Sequence, residues 1–346
     1  MKQFTLCMML GAAMIASGPG TAFAAPDVVT LKVSHFMATT SNFHQKILLP
    51  WCDKISSESN GRLKCQIYPS MQLGGSPPQL FGQGVDGVAD IIETIPTYQA
   101  GRFTKSEVFE LPFMVKKAEY GSQALWDYIQ KNALDEYKGV RLIFVNLHDG
   151  NQMFFGKKSV KSLEDLKGLK MRAPTRLASK TLAALGAVPV QIPMPAVPEA
   201  LAKGVVDGAS IPWEISTSIK LQEICKTHTE TGPNQTKHAN SIFIFAINSA
   251  KYNSLPPELK KVIDQNSGVK VSAWAGRILD GTTEGARKIA QDRHNTFNVL
   301  SDTEYMRWMK ATSAVDDEWV KEVSAKGVNG KALLEDAKAL LKKYHD

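Results

Sequence analysis

Ser162-Leu163-Glu164-Asp165-Leu166-Lys167-Gly168-Leu169-Lys170-Met171-Arg172-Ala173-Pro174 is the stretch that decides the fold. A serine-capped helical turn delivers a short strand, Lys170–Ala173, with Arg172 near its carboxyl end just before a proline. Beyond it the pattern predicts a helix over Leu177–Leu185, stopped by Gly186, and a strand over Val188–Ile192. A helix over Pro198–Lys203 follows, with proline near its start. Gly204-Val205-Val206-Asp207 then introduces another apolar strand. Strands alternating with helices in this way make a parallel sheet.

The first half of the chain uses the same grammar. Val29-Thr30-Leu31-Lys32-Val33 alternates as a strand, and a helix from Phe43 to Ser57 places Ile47, Leu48, Trp51 and Ile55 at helical spacing, ending at Asn60-Gly61. Leu63–Tyr68 is the next strand, Gln79–Gly84 a short helix, and Gly87-Val88-Ala89-Asp90 leads into a strand over Val88–Ile92. A short helix, a Gly-Val-x-Asp turn and an apolar strand thus occur twice, which predicts two α/β domains of similar design. Strand-like Arg141–Leu147 crosses between them. Ser241–Ile247, after the polar loop Thr231–Asn240, is a second candidate crossover. From Pro257 onward the chain reads as helices, with a long one through Lys260–Arg293. A chain that passes between two lobes more than once is a hinged clamshell.

With 346 residues, 43% of them hydrophobic and 22% charged, the chain is long enough for two such domains. The same figures exclude a disordered or collagen-like chain. The net charge of +7 is spread without a basic block, so no nucleic-acid partner is expected. Residues 1–24 carry Lys2, an apolar run from Phe4 to Ala16, a Gly-Pro-Gly break and the small-residue site Ala22-Phe23-Ala24. That is the order of a cleaved secretory signal peptide, and the run is shorter than the roughly 20 apolar residues that a membrane anchor needs. Cleavage takes the net charge from +7 to +6 and sends the chain, most simply, to a bacterial periplasm. Cys52, Cys65 and Cys225 remain, an odd number without CxxC spacing, which speaks against zinc or redox chemistry. Cys52 and Cys65 are either paired or two buried thiols.

Gly82-x-Gly84-x-x-Gly87 matches the dinucleotide fingerprint as a string, yet it follows Pro77-Pro78 and leads into a strand, where the real motif follows a strand and opens a helix. P-loop, HExxH, EF-hand and GxSxG motifs do not occur, and the seven histidines are scattered. No metal, cofactor or catalytic residue is expected. Arg172 is the candidate with chemistry. In open α/β sheets ligands bind beyond the carboxyl ends of strands, where an arginine clamps a carboxylate through two charge-assisted hydrogen bonds. By spacing alone, pairing with a structural acid at the surface serves equally well.

Leu166–Pro174, followed by Leu185-Gly186-Ala187-Val188-Pro189-Val190 and by Glu199-Ala200-Leu201 with Gly204-Val205-Val206-Asp207-Gly208, resembles the periplasmic solute-binding proteins of tripartite ATP-independent (TRAP) transporters, the DctP-like family. Tyr68-Pro69-Ser70-Met71-Gln72-Leu73-Gly74-Gly75 and Val108-Phe109-Glu110-Leu111-Pro112-Phe113 extend the resemblance, which covers the mature chain in order. It implies an α/β clamshell of two lobes with mixed sheets and a long helix spanning both. Lobe I takes residues 25–147 with about 236–275; lobe II takes 148–235 with about 276–346. It also implies closure over an organic acid, delivery to an integral-membrane permease driven by an ion gradient, and Arg172 as the carboxylate-binding residue.

Departures from the family pattern bear on the ligand. Phe36, Asn151 and Ile211 stand where sugar-acid binders can carry asparagine, arginine and asparagine, and Trp213, Phe155 and Tyr98 add aromatic surface. Burying a sugar's hydroxyls among such groups costs roughly 1–3 kcal/mol for each one left unpaired. The expected ligand is therefore a hydrophobic or aromatic monocarboxylate or a 2-oxo acid. Arg172 is expected to anchor its carboxylate with help from Asn151, while Phe36, Tyr98, Phe155, Ile211 and Trp213 shape an apolar chamber. A sugar-acid or dicarboxylate binder, a ligand-presenting sensory protein and a periplasmic lyase or hydrolase are the alternatives. Lys331–Tyr344 reads as an amphipathic helix packing on its own lobe.

Overall fold

The computed structural model describes residues 27–345, so the signal peptide read over residues 1–24 lies outside the described residues. Its strands are β1 (Val29–His35), β2 (Leu63–Tyr68), β3 (Ile91–Thr94), β4 (Val140–Asn146), β5 (Asn151–Phe155), β6 (Lys170–Ala173), β7 (Val188–Gln191), β8 (Gly208–Pro212), β9 (Thr227–Glu230), β10 (Phe243–Asn248) and β11 (Thr296–Val299). They form two sheets, in the orders β2-β1-β3-β10-β4 and β11-β9-β5-β8-β6-β7. Each is mixed. β1 lies parallel to β2 and β3, with β10 antiparallel beside β3; β6 lies parallel to β7 and β8, with β5 antiparallel beside β8.

The repeated Gly-Val-x-Asp turn sets both sheets. Gly87 (φ +74°) and Gly204 (φ +69°) take the left-handed conformation that lets a short helix turn into a strand. The aspartate then closes the turn onto the neighbouring strand: Asp90 Oδ2 accepts from the Lys32 amide, and Asp207 Oδ2 from the Lys170 amide, both at 2.8 Å. One shift follows from this geometry. The strand expected over Val88–Ile92 begins at Ile91, because Val88, Ala89 and Asp90 belong to the turn.

β4 and β10 each lie wholly in the first sheet, paired antiparallel. The crossings are the segments next to them, 147–150 leading into β5 and 231–242 leading out of β9. The long helix read through Lys260–Arg293 is three helices, Pro257–Gln265, Val269–Asp280 and Thr283–Asp292. Gly268 at φ +97° breaks the first junction. Val269–Asp280 packs on Ala118–Asn132 so tightly that a Cβ on Gly276 would sit 2.4 Å from the Ala118 carbonyl. The Asp280 carboxylate meanwhile accepts the amides of Ala118 and Glu119, which open that partner helix.

The helix that spans both lobes is Asp302–Ser324. It packs on Arg176–Ala184 of the second lobe, and its Trp319 Nε1 donates to the Thr104 carbonyl of the first at 3.1 Å. The C-terminal helix Gly330–His345 then returns to the first lobe, against Ala118–Asn132, where Lys131 and Asn132 both hold Asp336. The tail, expected with the second lobe, thus ends on the first, because that helix offers it both an apolar face and the two polar partners. Cys52 and Cys65 form a disulfide between the helix Leu49–Glu58 and β2; Cys225 is free and buried.

Candidate ligand-binding site

The strand ends of the two lobes face one another across a narrow chamber lined by residues of both, the place where open α/β folds bind their ligands. Phe36, Met37, Ile95 and Phe243 line it from the first lobe, and Pro174, Met194, Pro212 and Ile215 from the second. The polar groups in the wall are few: Arg172, Asn151, His148, Glu214 and Ser241.

Arg172 projects from the carboxyl end of β6 and is fully buried. Its Nε donates to the Ile192 carbonyl at 2.8 Å and its Nη1 to the Ser210 carbonyl at 2.9 Å, which fix the plane of the guanidinium. Nη2 is buried and has no partner. Burial lowers the group to about 10, so it stays charged at neutral pH. Among the described residues no carboxylate pairs with it; the group acting on it is the Tyr98 hydroxyl, which also accepts the Met194 amide at 3.3 Å. A buried cation with a free donor aimed into an apolar space is a site for an anion.

Asn151 opens β5 at the same place. Its Nδ2 donates to Ser210 Oγ at 2.9 Å, Ser210 Oγ meets His238 Nε2 at 2.9 Å, and the Asn151 Oδ1 has no partner. His148 is held neutral, lowered to about 3 by burial and then by Arg172. Tyr98 stands behind Phe36, ring centroids 5.8 Å apart.

Phe155, Ile211 and Trp213 are not in this wall. Phe155 shares a strand face with Asn151 but lies four residues along β5, roughly 13 Å away, where it packs over Gly208 in the second lobe's core. Ile211 sits between Ser210 and Pro212, so strand alternation turns it to the opposite face, into the core. Trp213 stacks on Phe297, meets Phe154 edge-on and His228 at a tilt, and donates Nε1 to Glu230 at 2.7 Å, away from the chamber.

Sequence reasoning missed two acids. Glu214, on the short helix after β8, is pushed up to about 8 by burial and then by Asp149, and its Oε2 has no partner. Glu93, in β3, is raised well above the carboxylate range by burial and then by Glu214, with neither oxygen paired. A lone acid in the apolar strand Ile91-Ile92-Glu93-Thr94-Ile95 was the available signal.

The pattern of the bacterial extracellular solute-binding proteins, family 7 (DctP), matches residues 33–322. The chain belongs to that family. A TRAP solute-binding protein from Rhodoferax ferrireducens, solved with copurified benzoate, is 44% identical, with a TM-score of 0.91 over 92% of this chain and 99% of its own. A marine-metagenome TRAP solute-binding protein specific for aromatic acids, solved with 3-hydroxybenzoate, is 42% identical, with a TM-score of 0.90 over 92% and 100%. A Bordetella bronchiseptica TRAP periplasmic solute-binding protein with bound mandelate is 29% identical, with a TM-score of 0.84 over 91% and 99%. As in these family 7 proteins, the fold is two-lobed and the role is that of a TRAP-type solute-binding protein. Proteins of this family work in the periplasm, and among the described residues no helix is long and apolar enough to cross a membrane.

Proposed function

We propose that this protein is exported through a cleaved signal peptide, closes in the periplasm over an aromatic monocarboxylate and hands it unchanged to a TRAP-type membrane permease. One observation carries the reading: Arg172 is wholly buried and charged, has no carboxylate paired with it among the described residues, and with its Nη2 unpartnered lines a chamber walled largely by Phe36, Ile95, Met194, Phe243 and prolines. The carboxylate supplies the missing charge, Asn151 adds a hydrogen-bonding amide, and the ring fills the apolar space. The benzoate, 3-hydroxybenzoate and mandelate bound by similar proteins fit this chemistry.

The test is calorimetry and thermal shift on mature protein stripped of ligand by unfolding and refolding, against aromatic acids, 2-oxo acids, dicarboxylates and sugar acids. An aromatic monocarboxylate at about 100 times its dissociation constant should stabilise the folded chain by about 2.7 kcal/mol. Stabilisation by dicarboxylates or sugar acids alone would overturn the ligand class.

A further inference from the structure

Arg172 accounts for one end of the chamber and leaves the other unexplained. Glu214 lines the same wall, yet the groups that act on the two differ: Tyr98 on Arg172, Asp149 on Glu214. Arg172 Nη2 and Glu214 Oε2 are both without a partner, so the two groups line the chamber without bonding each other. Glu93, in β3 of the opposite lobe, is within electrostatic reach of Glu214, which raises it further after burial. Both are buried, and three of their four oxygens, Glu93 Oε1 and Oε2 and Glu214 Oε2, lack any partner. His35, opposite Glu93 in β1, spends its Nε2 on His44 at 2.9 Å and stays neutral, lowered to about 3 by burial. Neither histidine donates to the acids.

We propose that Glu214, backed by Glu93, determines specificity at this end by binding a ring hydroxyl of the aromatic carboxylate that Arg172 anchors. The inference rests on the aromatic-acid reading above and narrows it to hydroxylated rings. A buried carboxyl with an unpartnered oxygen in an apolar wall accepts a hydrogen bond, and donates one as well when it holds its proton. A phenolic hydroxyl both donates and accepts, so it pairs with that carboxyl in either protonation state. An unhydroxylated ring leaves both acids unpaired, and a site built to hydrogen-bond a hydroxyl discriminates strongly against the analogue without it.

The experiment is calorimetry of the stripped mature protein with benzoate and the three hydroxybenzoates, followed by the same titrations on Glu214→Met, which keeps the length of the side chain and removes its polar end. The best hydroxybenzoate should bind the wild type about tenfold or more tightly than benzoate, and that ratio should collapse towards one in Glu214→Met. Should Glu214→Met not fold, Glu214→Gln keeps the size and replaces the carboxyl with an amide, and the ratio should shrink about threefold or more. Benzoate binding as tightly as every hydroxybenzoate, or a ratio unmoved in the folded variant, overturns the inference while leaving the aromatic-acid reading intact. No aromatic acid binding at all overturns both.

Discussion

The two lobes are built on one plan and equipped differently. Laying the Lys32–Asp90 pair over the Lys170–Asp207 pair matches β1 with β6 and β3 with β8, residue by residue. Arg172 then falls on Ser34, and Glu93 on Ser210. Ser34 and Ser210 are both buried, and Ser34 Oγ lacks a partner. The scaffold is held constant by the turn; the chemistry sits two or three residues further on, where strands run out and face the cleft. One lobe brings a cation and the other a carboxyl, so the chemistry of the two lobes differs where equivalent strand positions diverged.

The largest effect separates the matched pair Arg172 and Ser34. Arg172→Ala removes the sole cation in the wall and should weaken the aromatic acid about 100-fold or more, in line with truncating one partner of a buried charge pair. Ser34→Ala should change affinity by no more than about twofold, since its hydroxyl makes no bond. Arg172→Lys should recover little, because an ammonium cannot hold the Ile192 and Ser210 carbonyls while forking onto a carboxylate. Equal losses in Arg172→Ala and Ser34→Ala, by calorimetry, would erase the asymmetry.

A middle-sized effect concerns protons, which both lobes and the hinge trap. Glu214 is raised to about 8, Asp149 and Glu110 to about 7 and Glu93 well above its ordinary value, chiefly by burial. Each binds more protons folded than unfolded above its ordinary value, so its stabilising contribution is whole below that value and lost as pH rises through the folded one. His35, His148, His228 and His238, lowered to about 3, do the opposite: their contribution is whole above about 6.5 and lost as pH falls towards 3. The two sets oppose between about pH 4.5 and 6.5, where stability should be level. From about pH 6.5 to 8 the acids alone should lower Tm by roughly 3–6 °C. Glu214→Gln should flatten that limb, and a Tm that keeps rising through pH 8 would refute the account.

Much of the scaffold was legible because its signals are local. Glycine followed by an aspartate marks the turn wherever it occurs, alternating strands announce themselves, and a strand-end arginine before a proline is a recognisable place for a ligand. The chamber wall was legible in character but not in membership. Phe36 and Asn151 line it; Tyr98 stands behind Phe36, Phe155 and Ile211 are displaced by distance along the strand and by strand phase, and Trp213 opens the helix beyond β8, none of which a list of aromatic residues encodes. Ser210 and Ile211 are neighbours in sequence and occupy opposite faces. Glu93 and Glu214 are 121 residues apart in the chain, and the effect of one on the other depends on how the two lobes sit together. The Cys52–Cys65 pairing likewise depended on the angle between a helix and the following strand, which spacing leaves open.

The smallest effect asks whether the shared turn is equally important in both lobes. Asp90 and Asp207 accept equivalent backbone amides at the same distance, but their surroundings differ. Asp90 is buried, its carbonyl accepts the Asn248 amide at 2.8 Å and Lys251 approaches to 3.7 Å; Asp207 is exposed. Losing the acceptor in the first lobe strands the amide of a half-buried Lys32, while water can replace it at the exposed Lys170. Asp90→Ala should therefore cost about 2–3 kcal/mol and Asp207→Ala about 1 kcal/mol by urea unfolding. Asn at either position keeps an acceptor and should restore most of the difference. Equal costs would mean that the turn's own geometry, with its glycine at positive φ, carries the stability and that burial of the aspartate adds nothing.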